Sequence, residues 1–439
     1  MLRDTRYVLC DTISMIIGID ASRANRDHKS GTEWYSFYLI KWLAELDGKN
    51  QYILYTDKPL SNNLTDLSLV NVKTTENFQA KFDKNGYQVI KSPHNNFKAK
   101  ILKWPYHFFW TQGRLSLEMI FHRPDILFVP AHTLPLIHPK KSIVTIHDVG
   151  FARDFCLYRS DKMGPENSRA RKVIDYLIRT ATFGKYGANT VDYQNWSTKF
   201  ALKKSKAIIT VSEFTKKEIK EIFGDFDHKI NVVSNGYNNE IYKKIIDQEK
   251  IKNTINKYGI KKPYLFYVGR LERKKNTPQL IEAFALLKEK NKNIKHKLVL
   301  VGDASFGYDE VKYTINEYAL DEDVIMPGWI AEEDMPYLYN GADAFIFPSL
   351  YEGFGIPLLQ AMACGVPIAS SYISSIPEIT GDTSLFFNPN NIISMTDAIE
   401  RIITDNSLRE ELTKKGYERI KLFSWKKCAQ ETLEIIIKL

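Results

Sequence analysis

Residues 343–370 read D-A-F-I-F-P-S-L-Y-E-G-F-G-I-P-L-L-Q-A-M-A-C-G-V-P-I-A-S, and the rest of the chain is best understood outward from them. Residues 344–347 are a short apolar run stopped by Pro348, the pattern of a strand buried on both faces. Residues 349–355 carry two glycines, so the backbone there can approach another group closely. Pro357 stands where a helix begins, because its missing N–H would be unpaired there in any case. Residues 358–364 continue that helix, Gly365 suits a left-handed cap, and 366–369 form the next strand. The mouth of such a helix carries unpaired N–H groups and partial positive charge, open to a phosphate or a sugar hydroxyl. Glu352 adds a carboxylate that can accept from sugar hydroxyls, and Gln360 lies one turn into the helix. The plainer alternative is that Gly353 and Gly355 only make a turn and Glu352 only caps it.

The same alternation extends toward the amino terminus. Residues 264–268, 297–301 and 324–326 read as strands, with helices over 279–288 and 332–340 and with Thr277 and Pro278 as cap and first position. An earlier series starts at a strand over 16–20, followed by a polar loop holding Gly31. A helix over 33–46 follows, periodic through Trp34, Phe37, Tyr38, Ile40 and Leu43. Further strands are expected at 52–55, 69–72, 125–129, 142–146, 206–211 and 229–233. Ser212 caps the helix after 206–211, with Thr215 and Lys216 at its exposed start. Residues 76–100 show no period and read as loop, and 151–195 are charged and aromatic without a clear pattern. The stretch I-L-K-W-P-Y-H-F-F-W at 101–110 suits either a membrane interface or a buried helix, and the buried reading is preferred. Because the alternation restarts after the polar residues 237–257, the chain is expected to be α/β with two domains. These are 15–245 and 246–424, with a closing helix over 425–439 and residues 1–14 an extension ahead of Met15.

The 439 residues are 44% apolar and 26% charged, an ordinary globular balance. The four cysteines show no C-x-x-C spacing, which argues against a disulfide framework or zinc site and fits a reducing compartment. No apolar run is long enough to span a bilayer, and the start lacks a signal-peptide layout, so a cytoplasmic location is expected. The net charge of +9 reflects lysines dense over 199–220 and 257–275. A solvated surface explains them, and attraction to anionic lipid at the inner face of the membrane is the alternative. Nucleic acid is not expected as a partner, since no helix-turn-helix, zinc-finger or RNA-binding signature is present.

His147 and Asp148 directly follow the strand at 142–146, where open α/β sheets present residues to a ligand crevice. His132 supplies a second imidazole nearby in sequence. A histidine so placed can equally be a satisfied core residue. Arg270 leaves the strand 264–268 and Lys275 follows five residues on. A guanidinium fork and a compact ammonium suit a diphosphate, although a lysine-rich loop can be merely solvated. D-E-D at 321–323 has the spacing of a divalent-cation site but precedes a strand, and Asp343 stands alone. Both read as structural, and no metal is expected.

Y-E-G-F-G-I-P-L-L-Q-A-M-A-C-G-V-P resembles the signature of glycosyltransferase family 4, and T-I-H-D-V at 145–149 with H-T-L-P at 132–135 resembles its mannosyltransferase-like members. The resemblance implies the GT-B fold: two Rossmann-like, doubly wound domains facing across a cleft, with the last helix returning to the N-terminal domain. It also implies retaining, metal-independent transfer of a hexose, mannose favoured, from a nucleotide-sugar donor, GDP-mannose favoured over UDP-sugars, with no cofactor besides. The acceptor would be a glycan or lipid-linked glycan in surface polysaccharide biosynthesis, held by the N-terminal domain. On the same resemblance Arg270 and Lys275 grip the diphosphate, Glu352 orients the transferred sugar, and His147, with Asp148 beside it, contacts the donor near the reaction centre. Gly31, Gly269, Gly328, Gly353, Phe354, Gly355 and Ile356 line the donor site.

The family pattern has a second glutamate after seven intervening residues, where this chain has Gln360, and the resemblance implies that this position meets the ribose diol of the nucleotide. A neutral amide replacing a carboxylate at the ribose diol weakens donor binding by about 1 kcal/mol, roughly fivefold. Two other readings stay open: a different GT-B nucleotide-sugar enzyme, epimerase-like, and a donor-binding protein of reduced activity because of Gln360.

Overall fold

The structure, a computed structural model, describes residues 14–69, 80–105, 109–158, 160–162, 168–182 and 184–439. The strand expected at 69–72 lies largely outside these residues, as does nearly all of the expected extension over 1–14. Among the described residues the strands form two sheets. The first holds β1 (Ile16–Asp20), β2 (Gln51–Thr56), β3 (Gln88–Val89), β4 (Phe97–Ile101), β5 (Ile126–Val129), β6 (Ser142–Ile146), β7 (Ala207–Thr210) and β8 (Ile230–Val232), in the order β3-β4-β2-β1-β5-β6-β7-β8. The second holds β9 (Tyr264–Val268), β10 (Lys297–Val301), β11 (Val324–Gly328), β12 (Ala344–Phe347), β13 (Ile368–Ser371) and β14 (Ser384–Phe387), in the order β11-β10-β9-β12-β13-β14. The chain packs into two compact units. One takes the described residues through Pro130 with Leu134–Ile143 and Lys438–Leu439; the other takes Ala131–Thr133 and Val144–Ile437.

In the first unit β1 is flanked by β2 and β5, both parallel to it, and β3 pairs antiparallel with β4 at the edge. The helix Gly31–Leu46 begins two residues earlier than its apolar period suggests, because Ser30 and Glu33 form a reciprocal capping box. Gly31 is therefore the first helical residue and not part of the preceding loop. Residues 76–100, expected as loop, contain β3 and most of β4. Phe97 and Ala99 of β4 face inward while Lys98 and Lys100 do not.

The second sheet is parallel at every pairing. Its strands are covered on both faces, which explains their unbroken apolar runs. Along β9, Tyr264 and Phe266 join one core with Phe345, Phe347 and Leu358, while Leu265 and Tyr267 join the opposite one with Leu298 and Ile346. Each such side chain contributes about 1.5–3 kcal/mol of burial. The strand order reverses between β9 and β12, so the loops leaving those strands border the crevice where doubly wound sheets take ligands.

The helix Ile356–Cys364 is framed as its sequence requires: Gly355 precedes it at φ 101° and Gly365 closes it at φ 73°, both left-handed. β13 begins two residues later than expected. The helix Thr277–Lys290 is preceded by Asn276 at φ 60°, so Thr277 is its first residue and not its cap. The unpatterned 151–195 stretch contributes to the helices Gly150–Arg153 and Thr190–Lys204 and holds Ser168–Ala181. The closing helix Trp425–Ile437 starts against Gly236, just beyond β8, where an added Cβ would overlap the backbone of Trp425.

Candidate active site

The loop after β9 ends in a 3-10 turn, Arg273–Lys275, and the loop after β12 carries Glu352. These two loops meet at the point where the strand order reverses. Lys275 Nζ lies 2.5 Å from Glu352 Oε1, with the two side chains only 16% and 10% exposed. The Leu350 N–H donates to the Lys274 carbonyl at 2.8 Å, so backbone as well as charge joins the loops. Glu352 is fixed from behind: its N–H donates to Ser374 Oγ at 3.1 Å, and the Ser375 hydroxyl donates to its carbonyl at 3.0 Å.

Lys274, next to the expected Lys275, is the residue the sequence did not single out. Its ammonium lies 3.8 Å from both Asp148 and Glu272 and 4.9 Å from the Tyr158 ring centre. Burial works against its charge, but Asp148, Glu272 and Glu352 outweigh burial and the repulsion of Arg270, and its pKa stands above the usual lysine value. Asp148 shows the converse. Burial pushes its carboxyl up, yet Lys274, His132, the Gly150 N–H and His147 together hold it below the usual carboxylate range. Tyr158, from the unpatterned segment, donates to Asp148 Oδ1 at 3.4 Å.

Gly353 explains its own identity. A Cβ there would overlap the His147 carbonyl oxygen and come within 3.0 Å of the Asp148 Cβ. Its carbonyl accepts from Ser212 Oγ at 2.7 Å and from Thr215 Oγ1 at 3.4 Å, and Thr215 also donates to the His147 carbonyl at 3.3 Å. Thr215, expected at an exposed helix start, is fully buried in this contact. The His147 and His132 rings meet edge to face at 5.7 Å.

The structure thus gathers His147, Asp148, Lys275, Glu352 and Gly353 with Lys274, and Arg270 is close enough to act electrostatically on Lys274. Arg270 itself is exposed at the lip. Phe354 and Ile356 point away from this cluster. Phe354 packs on Phe423 and Ile356 lies against the same core, so only their backbone faces the loop side. Gly269 and Gly328 stand at the ends of β9 and β11, linked through Gly302, whose N–H donates to the Gly328 carbonyl at 3.1 Å. A Cβ on Gly302 would overlap the Gly269 carbonyl, a close approach that only glycine permits. Gln360 Oε1 accepts from the buried Tyr339 hydroxyl at 3.0 Å. Gly31 belongs to the first unit.

The acidic D-E-D segment is engaged elsewhere: Asp323 takes Lys288 and Lys297, each at 2.8 Å. Asp343 accepts from the Tyr264 N–H at 3.1 Å. Among the described residues no helix is long and apolar enough to cross a membrane.

Two family models match the chain, "Glycosyltransferase Family 4" over residues 30–240 and "Glycosyl transferases group 1" over 247–419. The chain is also 30% identical over 324 residues to the O-antigen chain mannosyltransferase B of Escherichia coli, covering 73% of this chain and 82% of that one. The chain belongs to glycosyltransferase family 4. The O-antigen chain mannosyltransferase RfbU of Salmonella typhimurium is 26% identical over 330 residues, 73% of this chain and 78% of that one. Sucrose-phosphate synthase from Thermosynechococcus elongatus superposes with a TM-score of 0.67 at 18% identity, over 97% of this chain and 98% of that one, a likeness of fold. This family 4 chain is therefore a glycosyltransferase of GT-B fold, taking an activated sugar donor and a glycan acceptor.

Proposed function

We propose that this glycosyltransferase moves mannose, with retention at the anomeric carbon, from GDP-mannose to a glycan or lipid-linked glycan under construction for the cell surface. The likeness to two O-antigen mannosyltransferases supports the sugar and the pathway class. The observation that carries the reading is the Lys275–Glu352 pair at the reversal of strand order, with Lys274 and Arg270 beside it. Here cationic groups lie beside a fixed carboxylate. The cations suit a leaving diphosphate, and Glu352 suits the hydroxyls of the sugar being transferred. His147 stands at the end of β6 against Gly353, on the side where the donor sugar would sit. The cations can neutralise the leaving group without a divalent ion, so the reaction is expected to survive chelation.

Calorimetric titration and slow donor hydrolysis, run with GDP-mannose, GDP, UDP-glucose and UDP-N-acetylglucosamine in the presence of EDTA, test the reading. GDP-mannose should bind and hydrolyse while the UDP-sugars do neither. Selective binding of a UDP-sugar, or activity that appears only on adding Mg²⁺ or Mn²⁺, overturns it.

A further inference from the structure

The helix Ser116–Phe121 in the first unit is apolar on both sides, although packing needs only one. Met119 is fully buried, as is Leu115 just before the helix, and both face the core. Leu117, Ile120 and Phe121 share the opposite face at the spacing of one helical turn and are 47%, 48% and 74% exposed. The segment Leu134–Ile143 runs alongside: the Gln112 amide donates to the Leu134 carbonyl at 3.0 Å, and the Ile137 N–H donates to Ser116 Oγ at 3.4 Å. That segment adds exposed Leu136 and Ile137. Five large apolar side chains therefore form one outward patch, where scattered single ones would need no explanation.

The exposed charge that flanks this patch in the chain is mostly basic, with Asp125 the exception. Arg123, Lys140 and Lys141 are exposed at its border. The helix's own carboxylate, Glu118, is turned inward and held by Lys100, Arg114 and His122. Asp125 is tied to the Ile16 N–H at 2.7 Å. A second copy of the chain related by a two-fold axis would bring this basic border against itself. An anionic lipid surface meets both halves of the pattern, taking the apolar side chains at the acyl boundary and the cations among its headgroups.

We propose that the face formed by the helix Ser116–Phe121 and residues 136–141 docks this protein onto anionic membrane lipid. The site differs from the aromatic stretch 101–110, for which the sequence favours burial over a membrane interface, and it stands whichever sugar the enzyme transfers.

Flotation of the full chain with vesicles tests it. The protein should float with phosphatidylcholine mixed with phosphatidylglycerol, stay behind with phosphatidylcholine alone, and be released by salt. Ile120→Ser with Phe121→Ser should lower partitioning about tenfold or more, and Lys140→Glu with Lys141→Glu should do the same. All four positions are exposed, and an unchanged far-ultraviolet dichroism spectrum and donor hydrolysis establish that the variants are folded. Failure to float with either vesicle overturns the proposal, as does flotation that both variants leave intact. A concentration-dependent dimer abolished by Phe121→Ser, with no vesicle binding, overturns it in favour of a second copy.

Discussion

Lys275 and Glu352, 77 residues apart in the chain, meet as a largely buried ion pair joining the loops that leave β9 and β12. Removing one partner of such a pair strands the other's charge in a poorly solvated place. The pair also holds the two loops in register, and a diphosphate arriving there would take up part of the lysine's charge.

Lys275→Ala and Arg270→Ala are each expected to cost on the order of 2–4 kcal/mol in transition-state stabilisation, by analogy with lost oxyanion donors. The two should differ in stability: Lys275→Ala takes away the direct ion-pair partner of Glu352 and leaves it only the longer-range attraction of Lys274, whereas exposed Arg270 has little to lose. Paired kcat/KM and urea-midpoint measurements check this. Unchanged turnover in both variants removes these residues from the reaction.

Gly353→Ala should be damaging without any change of charge. The added methyl overlaps the His147 carbonyl, which is backbone and has nowhere to yield. Overpacking of this kind costs about 1–3 kcal/mol. Activity should fall further than stability, because the displaced segment carries His147 and Asp148. Equal losses in both would reduce Gly353 to a packing residue.

Much of the second sheet was legible because its strands are buried on both faces, so their apolar runs are short, dense and bounded by glycine or proline. β9, β10 and β12 lie where those runs stand. β4 was missed for the opposite reason. In F-K-A-K-I the strand signal is a period of two, with lysines facing outward, and it sat inside a polar stretch. The Arg270, Lys275 and Glu352 cluster followed from the family resemblance. Lys274 did not, because nothing local distinguishes it from Lys275; only the fold brings Asp148, from 126 positions earlier, to its side. Phe354 and Ile356 turn their side chains to the core, so a part for them in holding a donor falls to their backbone.

The Asp148–Lys274 contact should appear in the pH dependence of stability. The folded pKa of Asp148 is lowered, so its contribution is complete above the ordinary carboxylate value of about 3.9 and is lost as pH falls through the lowered one. That of Lys274 is raised, so its share is complete below about 10.4 and is lost as pH rises through the higher value. Asp148→Asn is expected to cost less than the ~3–5 kcal/mol of a broken buried pair, since Glu272 and Glu352 still face the ammonium. Adding Lys274→Met to Asp148→Asn should recover part of that loss in a double-mutant cycle. Additive losses would show that the two charges act independently.

Gln360 offers the most discriminating substitution. Its Oε1 already accepts from the Tyr339 hydroxyl, which fixes the amide and leaves its NH₂ as the group free to meet a ligand. A ribose diol would then be met by a donor where a carboxylate would accept both hydroxyl protons. Gln360→Glu keeps the Tyr339 bond and returns a charged acceptor, so nucleotide affinity should rise about fivefold. Tyr339→Phe should weaken binding slightly by freeing the amide to turn, while Tyr339→Phe in the Gln360→Glu background should matter less, because the two carboxylate oxygens are equivalent. Titration of GDP into the four proteins measures each step. An affinity unmoved by Gln360→Glu would place the ribose away from this helix.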